Sequence, residues 1–550
     1  MFSHDNSIDV PGTTRVFDES GNTVQTDHVN LFPVPSEDPK DPLNWSKGRK
    51  WIMLLCIIWY QFVVNLQAAS LYAVYEPLSE NTGLSLNDLN AGVGYFYLFI
   101  GIACIFSQPL ALGFGKKPIY IISALACCLL NLWTAFVDTN AQWIGSRLLL
   151  GFFISPSYTL IQVSISDVFF MHERGLPMGL YALQLYTGGA LGPILSGYIY
   201  DGMGWKAIVW LSSGLTGLTA LLLIFLLEET SYVRRSAMEA ASAPTVATLN
   251  EGQVEEENND VKLDAIEAGV HEVQHQGIAP RPRVISSWPG PRPWKFEKPH
   301  PQCGAIIGRC LFQCFALLRS PIIWWCGITF GSFQVYYNFV AALASGVLSV
   351  EPYNMSSSAI GLTFISSLIA SFPAAAFGGY FVDWYGLRQA RRNHGISEAE
   401  HKLNLYIICL IATPIGLLMM GLGPYYSAHW IVFVIGCGIV NFVGAFGTLV
   451  TVTYAFDCFH EIQPENPESP SASAQDAAPY LLISILICMI VSFGFNYAIT
   501  PWCFDWGLRN FGITSAIMSI VFNGSTLILV IWGKRMRRSG ETYYKKIINW

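Results

Sequence analysis

Charge is what this 550-residue chain lacks: only 13% of its residues are Asp, Glu, Lys or Arg. A soluble chain carries roughly a quarter. With 52% hydrophobic residues and a mean hydropathy of +0.40, an ordinary set of water-soluble domains is excluded. The deficit is also local. Charged residues crowd 1–50, 228–320, 383–402 and 534–546, and the stretches between are almost free of them. Lipid-buried helices joined by wet loops produce that distribution.

Other absences narrow the chemistry. There is no P-loop, which argues against ATP-driven work, and no HExxH, nucleophile elbow or dinucleotide fingerprint. Neither an enzyme nor a bound cofactor is expected, and nucleic acid is not an expected partner. The 13 cysteines form no CxxC or similar ligand pattern, so no metal site is expected. Eight of them lie in hydrophobic segments, where thiols act as small apolar packing groups.

What the chain has in abundance is apolar windows of spanning length, about 20 residues each. They lie near 51–75, 91–112, 118–137, 141–165, 177–199 and 205–227, then near 322–349, 359–381, 403–422, 429–456, 478–499 and 511–533. We number them spans 1 to 12. The expected fold class is all-α and integral to the membrane, with twelve transmembrane helices in two six-helix halves. The expected organisation is a cytosolic N-terminal segment (1–50), a first half (51–227), a cytosolic linker (228–320), a second half (321–533) and a cytosolic tail (534–550). Residues 1–48 are polar, so span 1 reads as a retained helix and not a cleaved signal.

Orientation follows from the basic residues. With the N-terminus in the cytosol, 28 of 31 Lys and Arg fall on cytosolic segments; Lys206, Arg509 and Arg147 are the exceptions. The linker is acidic at 251–267 and rich in Pro, Arg and Trp at 279–301. Such composition buries too little apolar surface to offset chain entropy. It reads as a largely disordered tether, with a docking or regulatory role as the alternative.

Three correspondences suggest that the halves repeat. Glu76-Pro77 and Glu351-Pro352 follow spans 1 and 7, 275 residues apart. Gly115 and Gly386 follow spans 2 and 8 at an offset of 271, and Asp167 and Asp457 close spans 4 and 10 at an offset of 290. A duplicated six-helix unit is the build of many secondary transporters.

Several motifs carry a resemblance. Gly379-x-x-x-Asp383-x-x-Gly386-x-Arg388 resembles the G-x-x-x-D-x-x-G-[RK]-[RK] loop signature of the major facilitator superfamily. Glycine there permits a tight turn, and the acid can accept from nearby helix N-termini. The copy after span 2 keeps Gly115, Lys116 and Lys117 but has Leu112 where the acid should stand. A plain positive-inside anchor with a glycine turn explains both copies as well. In span 5, Gly188-x-x-x-Gly192-Pro193-x-x-Ser196-Gly197 resembles the antiporter signature G-x-x-x-G-P-x-x-G-G of the family's drug–proton antiporters, against plain close helix packing. In span 4, Arg147-x-x-x-Gly151 is similar to the family's R-x-x-x-G pattern, whose arginine is implicated in proton transfer. The alternative for Arg147 is a side chain that snorkels outward. The run Asp38 to Ser46 resembles the sequence before span 1 in fungal twelve-span drug–proton antiporters.

In that fold, spans 1, 4, 7 and 10 line a central cavity, helped by 2, 5, 8 and 11. The polar candidates there are Asn65, Gln67, Tyr158, Gln162, Gln184, Gln334, Tyr337, Asn338, Asn441 and Asn496. For each of them, helix–helix hydrogen bonding is the competing role. No Asp, Glu or His sits near the middle of a span, so Glu76 and Asp167 are the acids best placed to load and release a proton. The resemblance implies proton-coupled export of xenobiotics or secondary metabolites by a monomeric carrier in the cell membrane, with a vacuolar or vesicular membrane as the alternative. An importer of organic cations, polyamines or another nutrient is the second reading, and a transporter-like receptor the third.

Overall fold

The structure is a computed structural model that describes residues 13–15, 41–170, 173, 175–231, 303–393, 396–459 and 478–548. Each of the twelve apolar windows falls on a helix. Among the described residues, ten helices are long and apolar enough to cross a membrane alone. An eleventh case is the pair Cys303–Leu317 and Pro321–Leu348, which meet at a bend of 88°. The remaining window lies on Gly175–Met203, 29 residues and about 43 Å of helix. Glycine, tyrosine and Gln184 dilute its apolar character without shortening it.

Local chemistry sets the breaks. Ser85 and Asp88 form a reciprocal capping box that starts Leu86–Phe114, span 2. Span 4, Asn140–Val168, is interrupted where Pro156 begins its second helix, Pro156–Val168. Gly204 and Gly507 both hold a left-handed φ, +79° and +86°, and each starts the last span of its half. That is a further sign of the repeat, since few side chains tolerate this φ.

The packing repeats as well. In the first half span 1 packs on 5, 2 on 4, 3 on 6 and 3 on 4; in the second half 7 packs on 11, 8 on 10, 9 on 12 and 9 on 10. The halves meet along two symmetric seams, span 2 against 11 and span 5 against 8.

Three details depart from expectation. The end of the linker is a helix, Cys303–Leu317, that lies across spans 2 and 11. Its buried Cys310, Cys314 and Leu317 recur at helical spacing, a stripe too short to register as a span. The rest of the linker, 232–302, lies outside the described residues. In the N-terminal segment, Thr13–Arg15 pairs antiparallel with Ile396–Glu398, a small exception to an all-helical fold. Finally, Gly386 makes no tight turn. It lies inside the helix Val382–Arg392, which continues span 8 past a wide π-helical turn at Phe377–Phe381.

Glycine lets spans 9 and 12 touch backbone to backbone: a Cβ at Gly421 would overlap Gly512. Gly421→Val is therefore expected to destabilise the protein by ~1–3 kcal/mol through overpacking. Gly494→Ala, which adds a methyl into open space, should leave the thermal midpoint in detergent unchanged.

Candidate functional site

A cavity lies between spans 1, 2, 4, 5 and 7, lined by Asn65, Tyr158, Gln334 and Tyr337 together with Tyr72, Tyr97 and Tyr186. Its free volume is about 30 Å³, room for about two waters at 10–15 Å³ each. No carboxylate, histidine, lysine or arginine is among the residues that line it. The Tyr158 hydroxyl donates to Asn65 Oδ1 at 3.4 Å, and the Tyr72 and Tyr97 side chains are electrostatic neighbours. Tyr186 reaches across to span 10, donating to Gly444 O and bonding Thr448 Oγ1, each at 3.1 Å. The Tyr337 hydroxyl is buried without a partner among the described residues.

Four of the ten cavity candidates are thus brought together, and six lie elsewhere. Gln67 accepts from Thr216 Oγ1 at 2.6 Å and reaches Cys127 O, tying span 1 to spans 3 and 6. Asn441 donates to Ser367 Oγ at 2.7 Å and joins spans 10 and 8. Asn496 bonds its own helix at Ser492 O, and Gln184 accepts from Thr187. Gln162 and Asn338 are buried, with the Gln162 carbonyl and both Asn338 amide atoms unpartnered. An amide in a span takes the nearest carbonyl or hydroxyl, whether or not a cavity is near. Tyr72, Tyr97 and Tyr186 join the wall without being among the sequence candidates. The readable signal was tyrosine at positions facing the bundle.

Arg147 does not snorkel. It is 6% exposed, its guanidinium lies 4.2 Å from the Trp143 ring centroid, and Tyr72 and Tyr75 are its electrostatic neighbours. Its Nε is buried without a hydrogen-bond partner, and no carboxylate pairs with it among the described residues. Gly151 makes room one turn on, where a Cβ would strike the Phe96 backbone. A permanent cation thus sits behind the tyrosine wall, with Tyr72 between it and the cavity.

The span 5 signature is where four helices meet. A Cβ at Gly188 would lie 2.8 Å from Phe62 O and one at Gly192 would lie 2.6 Å from Leu66 O, both on span 1. Gly189 faces the Tyr337 hydroxyl on span 7, and Gly361 of span 8 packs on Pro193 O. The seam at the end opposite the N-terminus, expected to be the outer one, is bridged three times. The Glu76 N–H donates to Ser345 Oγ at 3.1 Å, Asn90 to Thr500 at 3.0 Å, and the Ser358 N–H to Asp201 at 3.2 Å. The Glu76 side chain itself is half-buried at this outer face.

At the helix ends on the side of the N-terminus the acid missing at Leu112 is supplied from elsewhere. Gly115 turns with φ +94°, and Glu229, beyond span 6, accepts from the Lys116 and Lys117 N–H groups at 2.9 and 3.0 Å. The buried Lys116 ammonium pairs with Asp167 at the end of span 4. The second half repeats the pair: Lys402, opening span 9, meets Asp457, closing span 10, at 2.7 Å. Gly379 is uncrowded, and Arg388 is exposed over the Trp384 ring at 5.2 Å. The Asp383 side chain lies outside those described.

Two symmetric six-helix halves closed around a small uncharged cavity are the build of a membrane transporter. The family model described as Major Facilitator Superfamily matches residues 53–457. The chain belongs to this superfamily. It is similar to an uncharacterized MFS-type transporter of Schizosaccharomyces pombe, 26% identical over 98% of this chain and 95% of that protein. It is also similar to the MFS antiporter QDR3 of Candida albicans, at 22% identity over 76% of this chain and 70% of that protein. In fold it resembles the human organic anion transporter MFSD10, with a TM-score of 0.51 and 12% identity, over 87% of this chain and 99% of that one.

The Lys116–Asp167 pair yields a direct test. Asp167→Asn strands a buried ammonium and is expected to cost ~3–5 kcal/mol. Lys116→Met combined with Asp167→Leu should recover much of that loss in thermal unfolding, because the cation goes with its partner.

Proposed function

We propose that this transporter exports small organic molecules in exchange for protons, by alternating access about the tyrosine-lined cavity. The observation that carries the reading is the position of the antiporter-like signature. Gly188, Gly192 and Pro193 sit where span 5 crosses spans 1 and 8, beside the cavity. A crossing built on glycine lets helices slide at short range, whereas larger side chains would interlock. The similarity to a protein named as an antiporter points the same way.

The wall chemistry bears on the cargo. Five tyrosines, Asn65 and Gln334 offer ring faces, hydroxyls and amides with no formal charge. Flat aromatic molecules and delocalised cations suit such walls. Glu76 is our candidate for proton loading: it lies at the outer seam, on the segment whose backbone bonds span 7. Asp167 is already held by Lys116, so we give it a structural role at the cytosolic end. Arg147 supplies a fixed positive charge that disfavours a second cation beyond Tyr72. The protein acts in this reading as a monomer in the cell membrane.

The test is transport by purified protein in liposomes with an imposed pH gradient and labelled planar organic cations. Gradient-driven movement toward the acidic side is expected, and movement toward the alkaline side would instead indicate uptake with protons. Glu76→Gln should uncouple flux from the gradient; unaltered coupling removes it as the loading acid. Arg147→Lys keeps the charge but loses the planar fork on Trp143, and should lower the rate about tenfold or more. Binding without flux in the unmodified protein would point to a receptor.

A further inference from the structure

The sequence that precedes span 1 plays no part in the reading above, yet it forms one wall of a second, larger cavity. This cavity has a volume of about 420 Å³ and lies at the cytosolic starts of spans 1 and 5. Asp41 accepts from the Leu43 N–H at 3.0 Å and fixes the turn Pro42–Asn44, which seats Trp45 against the bundle. Arg49 lies over the Trp45 ring at 4.1 Å and pairs with Glu228 beyond span 6, so the indole is clamped. Its N–H is buried and has no hydrogen-bond partner among the described residues.

Lys50 lines the same cavity and is 5% exposed. Its ammonium lies 4.7 Å from the Phe170 ring centroid and 5.9 Å from that of Phe169. It makes no hydrogen bond or ion pair among the described residues. Glu173, on the cavity wall, and Asp41 are the carboxylates whose charge reaches it, opposed by Lys47, so the lining carries two lysines against one acid. Asp41 is engaged in its own turn. An ammonium held against aromatic walls without a partner is costly unless an anion comes to it. The surroundings favour an anion further, since Lys47 stands on the rim and the first turn of span 1 carries no acid. The mouth is of a different kind: Trp51 and Leu176 border it and are 37% and 61% exposed. A lining with one lysine in excess of its single acid, and apolar surface at the lip, match an anionic headgroup with a tail.

We infer that this cavity binds an anionic phospholipid of the cytosolic leaflet. The phosphate meets Lys50 and the Trp45 N–H, and an acyl chain lies over Trp51 and Leu176. Basic pockets between spans at the cytosolic face suit such headgroups. The bound lipid ties the start of span 1 to the start of span 5, the two helices whose crossing depends on Gly188 and Gly192. The site does not depend on the direction of transport.

The experiment measures binding of fluorescent phosphatidylserine to the full chain in neutral detergent micelles, with phosphatidylcholine and inorganic phosphate as competitors. Saturable binding is expected in the unmodified protein. Lys50→Gln should weaken it about five- to tenfold and Lys50→Arg should largely preserve it. Trp45→Phe keeps the ring under Arg49 and should weaken binding a few-fold by loss of one donor. Arg392→Gln, which removes an exposed cytosolic charge elsewhere, should change nothing. Equal binding by Lys50→Gln and Trp45→Phe would overturn the assignment. So would displacement by phosphatidylcholine at equal concentration, and displacement by millimolar inorganic phosphate would show a site for free anions in place of lipid.

Discussion

Inside a bilayer there is no hydrophobic force pushing helices together, because the lipid is as apolar as leucine. Helices that must pack closely do so by van der Waals fit and hydrogen bonds, and small residues set how closely. Span 5 meets this constraint at the centre of the molecule. Its glycines admit the span 1 backbone on one side and the Tyr337 hydroxyl on another, while Pro193 receives Gly361 of span 8. Widen that helix and spans 1, 7 and 8 are displaced together, along with the cavity they enclose. The polar bridges of the outer seam and the Tyr186 bonds to span 10 then have no fixed geometry to form in.

The charged groups obey a companion constraint. A cation at a helix end in a thin polar layer must find an acid or reach water. The two halves solve this alike, with a lysine opening the third helix and an aspartate closing the fourth. The first half adds Glu229, whose carboxylate takes two N–H groups that helix geometry leaves open. Leu112 is tolerable for that reason. An acid at its position would add a third carboxylate to a neighbourhood already balanced by Lys116 and Lys117.

Much of this architecture was legible in the sequence, since lipid imposes a pattern that composition cannot hide. The twelve apolar windows depend on single-residue properties summed over a span, and the matched Asp167 and Asp457 mark equivalent helix ends. What stayed hidden depends on which way a side chain faces. Gly386 and Gly115 look equivalent in sequence, yet only Gly115 takes a positive φ, because the helix after span 8 runs on to Arg392. Gln67 and Asn65 are two residues apart, yet one ties three helices together and the other lines the cavity. The helix Cys303–Leu317 was masked by its polar neighbours.

Arg147 shows how the two constraints meet at the site. Its charge cannot be shed at physiological pH, and the Trp143 face and tyrosine hydroxyls around it solvate it only in part. Keeping it there is favourable only if the surrounding helices hold rigidly, which the Gly151–Phe96 contact and the Pro156 break help to secure. The charge then biases everything within reach of Tyr72 toward neutral or negative groups, while the ring faces of the cavity favour flat ligands. The same packing that hides the arginine from water thereby sets the electrostatics behind the tyrosine wall.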